Sequence, residues 1–239
     1  MVDMNRNETE LQSAVPGEAA AVPEVDILIV PGLNNSGPGH WQTIWEERLP
    51  GARRVDLGLW DDPHRNTWVN KLALAIGRAS RPVVIVAHSL GCHVTAWWAE
   101  YEAGFRSHLR ADAGVDMPVL GALLVAPPDV EERPVDRRLT RFAPLPPSEL
   151  PFPSIVVSSR DDPYITVGQA RRLARRWGAR FADAGAVGHV NAHSGLGDWP
   201  FGLALLRQLV PSAVPGDLIV ADGPAASSGI ATEGWYPPA

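Results

Sequence analysis

The sequence predicts an α/β protein: a three-layer α/β/α sandwich around a mostly parallel central sheet. Three observations carry that expectation. Short β-branched runs alternate with segments of helical character along the chain, the pattern of strands joined by crossover helices. The strongest runs are apolar at consecutive rather than alternate positions, as strands covered on both faces are. The composition, 45% apolar and 20% charged over 239 residues, is that of one globular domain with enough apolar mass for a sizeable core.

Taken in order, VDILIV (25–30) reads as the first strand and HWQTIWEERL (40–49) as the helix after it. ARRVDL (52–57) is a second strand, followed by a helix over about 66–79. VVIVA (83–87) is a third strand and runs directly into a helix, LGCHVTAWWAEYEAG (90–104). VLGALLV (119–125) and SIVVSS (154–159) are the fourth and fifth strands; the proline-rich stretch between them, 126–153, shows no sustained period and reads as a long loop. VGQARRLARRWGA (167–179) is helical, ARFAD (179–183) is a sixth strand, and DWPFGLALLRQLV (198–210) closes the series as a helix. Residues 1–24 and 212–239 are rich in Ala, Pro, Gly, Ser and Glu without an apolar period. They are expected to be flexible tails around a domain spanning 25–211.

A formal charge of −6 argues against a nucleic-acid partner, which calls for a basic face. The single cysteine, Cys92, excludes an internal disulfide and a cysteine metal cluster, and a reducing cytoplasm is the simplest setting. The first twenty residues lack a cationic start followed by an apolar stretch, and no segment reaches the roughly 20 apolar residues of a membrane span. A soluble, cytoplasmic protein is expected.

The chemistry starts at VVIVAHSLGC (83–92). A serine at the tip of a sharp strand-to-helix turn takes a strained backbone, and the residues two before and two after it crowd one another unless small. Ala87 and Gly91 meet that requirement around Ser89. The turn lifts the Ser89 hydroxyl above the sheet with the Leu90 amide pointing into the same space. The plainer reading, Ser89 as the N-cap of helix 90–104, stays open on this stretch alone.

A serine needs a base to activate it and a group to orient that base. The strand at 154–159 ends in Arg160-Asp161-Asp162-Pro163, and ARFAD is followed by Gly185-Ala-Val-Gly188-His189. The order Ser89, Asp162, His189, each on a loop after a separate strand, is the order of one hydrolase class. Asp162 is preferred to Asp161 because Pro163 holds it extended; the other aspartate reads as a turn or cap residue. His40, His64, His88, His93, His108 and His193 are assigned by default to surface or packing roles. A histidine base predicts activity that rises from acid toward neutral pH.

An oxyanion needs a second amide besides that of Leu90, from the loop after the first central strand. There Gly32 permits the turn, Leu33 is the expected donor and Asn34 a weaker one. On the same loop Gly32 and Gly37 have phosphate-loop spacing, but Pro38-Gly39 stands where Lys-Ser/Thr is required. His189 and His193 have the spacing of zinc ligands, yet Val190 occupies the place of the general base. Neither a metal nor any other cofactor is expected. Cys92 reads as a small inward-facing apolar residue. The tryptophans, Trp60 and Trp199 included, read mainly as packing.

VPGLNNSGPGHWQ, VVIVAHSLGC, LPFPSIVVSSRDDPY and GAVGHVNAHSGLGDWPFG together resemble the small serine hydrolases of the YdeN-like and retinoblastoma-binding-protein-nine group, within the α/β-hydrolase superfamily. The likeness covers about residues 25–210. It implies a compact, lidless α/β-hydrolase core with a Ser-Asp-His triad, falling here on Ser89, Asp162 and His189. Ala87 departs from the commoner glycine. Some members of that group are described as protein-binding factors. The expected activity is hydrolysis of a small-molecule ester through an acyl-enzyme. A thioester, amide or lactone substrate, or a non-catalytic binding module using 126–153 as its surface, are the alternatives.

Overall fold

In the computed structural model, residues 24–108, 119–215 and 218 are described. The expected tails, apart from residues 24, 212–215 and 218, lie outside them. Six strands form one sheet: β1 (Asp26–Val30), β2 (Ala52–Arg54), β3 (Val83–His88), β4 (Val119–Val125), β5 (Ser154–Ser158) and β6 (Arg180–Asp183). Their order is β2-β1-β3-β4-β5-β6, and every neighbouring pair is parallel. Among the described residues there are five α-helices: α1 (Trp41–Arg48), α2 (Arg65–Gly77), α3 (Leu90–His108) and α4 (Val167–Arg176) lie between strands, and α5 (Pro200–Leu209) follows β6.

The pleat explains the apolar runs. Along β1 and β3, Ile27, Ile29, Val84 and Val86 join a core beneath α1 and α5, while Leu28, Val30, Ile85 and Ala87 join another beneath α2, α3 and α4. Successive side chains point to opposite faces, so a strand sandwiched between two helical layers must be apolar at every position. This is the three-layer arrangement the sequence predicts. No helix among the described residues is long and apolar enough to cross a membrane.

Several boundaries differ from the expectation. β2 pairs only over 52–54, although Val55 and Leu57 beyond it are buried. α4 stops at Arg176 because Gly178 takes a left-handed turn, φ +63°. α5 begins at Pro200, which suits the first helical position. The packed region also runs past residue 211: Pro211–Ala213 forms a 3-10 turn, and Ala213 and Val214 bury themselves in the α1/α5 core.

The stretch 126–153 holds one short 3-10 helix, Leu139–Phe142, whose two end residues are buried in the α2/α3/α4 core. Trp97 Nε1 donates to the Phe142 carbonyl at 2.9 Å. Three arginine contacts tie this stretch to the connection after β2. Arg138 donates to Asp61 O at 3.0 Å, Arg65 to Ala143 O at 3.0 Å, and Arg141 pairs with Asp62. The long loop is therefore fastened down.

Candidate active site

Ser89 immediately follows β3, the strand flanked by β1 and β4. Its φ is +54°, a left-handed conformation that is strained for any residue with a side chain. The turn is held by Ser89 N donating to Val125 O at 2.9 Å and by Cys92 N donating to Ser89 O at 3.0 Å. A β-carbon built on Gly91 would stand 2.2 Å from Val30 O and 2.7 Å from Pro31 O. Only glycine fits there. Ala87, by contrast, packs fully buried in the core, which is why a methyl group is tolerated two residues before the serine.

The register of β1 on β3 pairs Val30 with Ala87, so the loop after β1 passes beside Ser89. Among the described residues, neither the Leu33 amide nor that of Leu90, at the first position of α3, makes a hydrogen bond. Asn34, the weaker donor expected from sequence, is already engaged: its amide donates to Trp60 O at 2.8 Å.

Asp162 follows β5 and His189 follows β6. His189 Nδ1 lies 2.9 Å and 3.0 Å from the two Asp162 oxygens, and His189 Nε2 lies 3.0 Å from Ser89 Oγ. The Asp162 side chain is completely buried beneath the imidazole. Its Oδ1 also accepts the Tyr164 amide at 2.9 Å. With Nδ1–H donating to the carboxylate, Nε2 is left free to accept the serine proton.

Asp161 does something else. Its Oδ1 accepts Ser159 Oγ–H at 2.7 Å and the Gly188 amide at 2.7 Å. The Ser159 hydrogen bond, reinforced by the Gly188 amide, holds its carboxyl below the usual range. Asp161 therefore fastens the segment leading to His189 and makes no bond to the imidazole.

Cys92 is buried, with Sγ 3.4 Å from Val125 O, and burial pushes its thiol well up. His64 and His193 are exposed, and the side chain of His108 lies outside the described residues. His40, His88 and His93 are buried, and burial pushes their basicity down, to about 4 for His40 and His93. Trp199 is buried and Trp60 packs against the core. The sequence reading did not single out Tyr164, whose ring centroid lies 4.3 Å from that of His189. Its place directly after Asp-Pro was the available signal.

A cavity of about 210 Å³ opens between α3, α4 and residues 128–132. None of Ser89, Leu33, Leu90, Asp162 and His189 lines it, and Arg172 and Glu132 at its rim pair with each other at 3.2 Å. Among the described residues, no group of three or more His, Cys, Asp or Glu is placed to hold a metal ion.

A hydroxyl in contact with an imidazole, which in turn contacts a buried carboxylate, is an arrangement able to carry out acyl transfer. Comparison with known proteins agrees with this chemistry at the level of family. A YdeN-like hydrolase from Pectobacterium atrosepticum is 26% identical, with 80% of this chain and 94% of that chain covered and a TM-score of 0.64. The ydeN gene product from B. subtilis is 21% identical, with 78% and 98% covered and a TM-score of 0.62. Est1E from Butyrivibrio proteoclasticus shares the fold at 11% identity, 80% and 90% coverage and a TM-score of 0.56. No curated protein matches the chain. The family described as serine hydrolase matches residues 27–208, from β1 to α5. The chain belongs to that serine hydrolase family, within the α/β-hydrolase superfamily.

Proposed function

We propose that the protein hydrolyses a small-molecule carboxylic ester, with Ser89 as nucleophile, His189 as base and Asp162 as the residue that orients it. The observation that carries this reading is the contact of His189 with both partners at once, Ser89 Oγ on one ring nitrogen and Asp162 on the other.

In the first half-reaction Ser89 Oγ attacks the acyl carbon while its proton passes to His189 Nε2. The carbonyl oxygen becomes an oxyanion and accepts hydrogen bonds from the Leu33 and Leu90 amides. The tetrahedral species collapses as His189 returns the proton to the departing alkoxide, leaving an acyl-serine and a free alcohol. Water then adds to the acyl carbon with His189 again taking a proton, and collapse releases the carboxylic acid and restores Ser89. Asp162 keeps the Nδ1–H tautomer throughout and balances the imidazolium charge.

An ester asks less of such a site than an amide, because its carbonyl is less stabilised by resonance and its alkoxide is a better leaving group than an amide nitrogen. The fold is shared with a protein named an esterase, Esterase B, and with the type II thioesterase BorB. The likeness therefore leaves the choice of leaving group to experiment.

The test is labelling by a fluorophosphonate together with turnover of matched nitrophenyl esters and acyl thioesters. Wild type is expected to label and to prefer the oxygen ester, and Ser89→Ala to do neither. Absence of labelling in wild type, or faster turnover of the thioester, overturns the reading.

A further inference from the structure

The start of α1 carries polar and aromatic groups that none of the chemistry above uses: His40, Trp41 and Gln42. All three are buried, and Trp41 reaches the backbone next to His189. Trp41 Nε1 donates to the Val190 carbonyl at 2.7 Å. His88 Nε2 lies 2.9 Å from the His189 carbonyl, which can only accept, so His88 donates. The peptide groups of two successive residues are therefore each held by a side chain from a different element.

His88 is itself backed by His40. The Gln42 amide donates to His40 Nδ1 at 3.1 Å, so the proton of the neutral His40 ring sits on Nε2. That Nε2 is buried without a hydrogen-bond partner. Its ring meets His88 edge-on, at 4.8 Å and 74°. The contact between the two rings is packing, and the donor that reaches the His189 carbonyl is His88 alone. Gln42 in turn donates to Val86 O at 3.0 Å and accepts from Ser36 Oγ at 2.6 Å, which pins the start of α1 to the end of β3.

The held segment needs holding. Val190 has φ +50°, a left-handed conformation that β-branched residues avoid, maintained only where the surroundings over-determine it. Gly185 and Gly188 just before it, at φ +81° and +64°, leave the backbone little stiffness of its own. The two donors gripping residues 189 and 190 thus add to the hold of Asp161 on Gly188 in fixing where the imidazole stands.

We propose that His88 and Trp41 are positioning residues for the His189 imidazole, with His40 packed against the His88 ring. This rests on the reading of His189 as the base. It assigns a function to Trp41 and to the histidine directly before the nucleophile.

The test uses the full chain and a nitrophenyl ester. His88→Met fills the space without a donor, and His88→Gln supplies an amide N–H near the place of Nε2. The expected result is a kcat at least tenfold lower in His88→Met with KM within twofold of wild type, since a small misplacement of a catalytic group has effects of up to about 10². His88→Gln should recover most of that loss. Restored kcat in the glutamine variant separates positioning from bulk packing. If His88→Met does not fold, Trp41→Phe, which deletes the donor and keeps an aromatic ring, carries the same expectation of lowered kcat at constant KM. Wild-type kcat in the methionine variant, or equal loss in both His88 variants, overturns the inference while leaving the reading of the site intact if Ser89→Ala abolishes labelling. Labelling that survives in Ser89→Ala brings both down.

Discussion

Gly32 lies so close to Ser89 that a β-carbon built on it would stand 2.6 Å from the serine Cβ and 3.1 Å from the Leu90 nitrogen. The loop after β1 and the turn after β3 are thus in contact, and the proposed oxyanion donors Leu33 and Leu90 sit one on each. Gly32→Ala should push these loops apart and misplace the Leu33 donor. Removal of one oxyanion donor lowers kcat by about 10²–10³ in a well-studied protease, and a loss of about 10² is expected here, read from initial rates on a nitrophenyl ester. Unchanged kcat in Gly32→Ala would remove Leu33 from the proposed role.

The two adjacent aspartates should separate kinetically. Asp162→Asn leaves the geometry nearly intact but favours the wrong imidazole tautomer, a change worth about 10⁴ in kcat for the corresponding protease carboxylate. Asp161→Asn loosens the hold on Gly188 and Ser159, and the expected loss is about tenfold or less. Steady-state kinetics of both variants decides it; the opposite ranking transfers the orienting role to Asp161.

Stability should fall as the solution is acidified through the range set by the buried histidines. His40 and His93 have basicities lowered from 6.5 to about 4, in both cases chiefly by burial. Between those two values the unfolded chain binds protons that the folded chain refuses, so stability is fully present above about pH 6.5 and declines toward pH 4. A depression of this size corresponds to about 3 kcal/mol per histidine. Thermal melting of wild type and His93→Gln across this range checks the sign. The glutamine can still donate to the Pro128 carbonyl that His93 Nε2 contacts at 2.8 Å, and its melting temperature should vary less steeply with pH. Identical slopes would refute the assignment.

Cys92 should be chemically silent. Its thiol is buried and held protonated by that burial, and the thiolate is the reactive form. Iodoacetamide should modify it only after denaturant is added, and Cys92→Ala should keep ester turnover within about twofold while losing about 1 kcal/mol of stability with the lost sulfur volume. Rapid alkylation of the native protein, with loss of activity, is the contrary result.

Much of this molecule could be read from residue order. β1, β3, β4 and β5 are apolar at nearly every position because helices cover both of their faces, and such runs stand out in any sequence. Ser89 was legible because its turn demands small neighbours, and Gly91 meets a physical limit of 2.2 Å. Boundaries were less legible where a single residue's dihedral decides them, as Gly178 does for α4 and Trp199, at φ +49°, for the start of α5.

The sequence by itself determined the layered fold, the serine on its tight turn, and the carboxylate and imidazole delivered by later loops, because periodicity and steric demand are local properties. Only the tertiary structure set Asp162 against the imidazole and Asp161 against Gly188, engaged the Asn34 amide with Trp60, and turned His88 and Trp41 toward the carbonyls of His189 and Val190. Each of those outcomes depends on where separate loops meet above one sheet, and spacing along a chain does not encode the direction of a hydrogen bond across space.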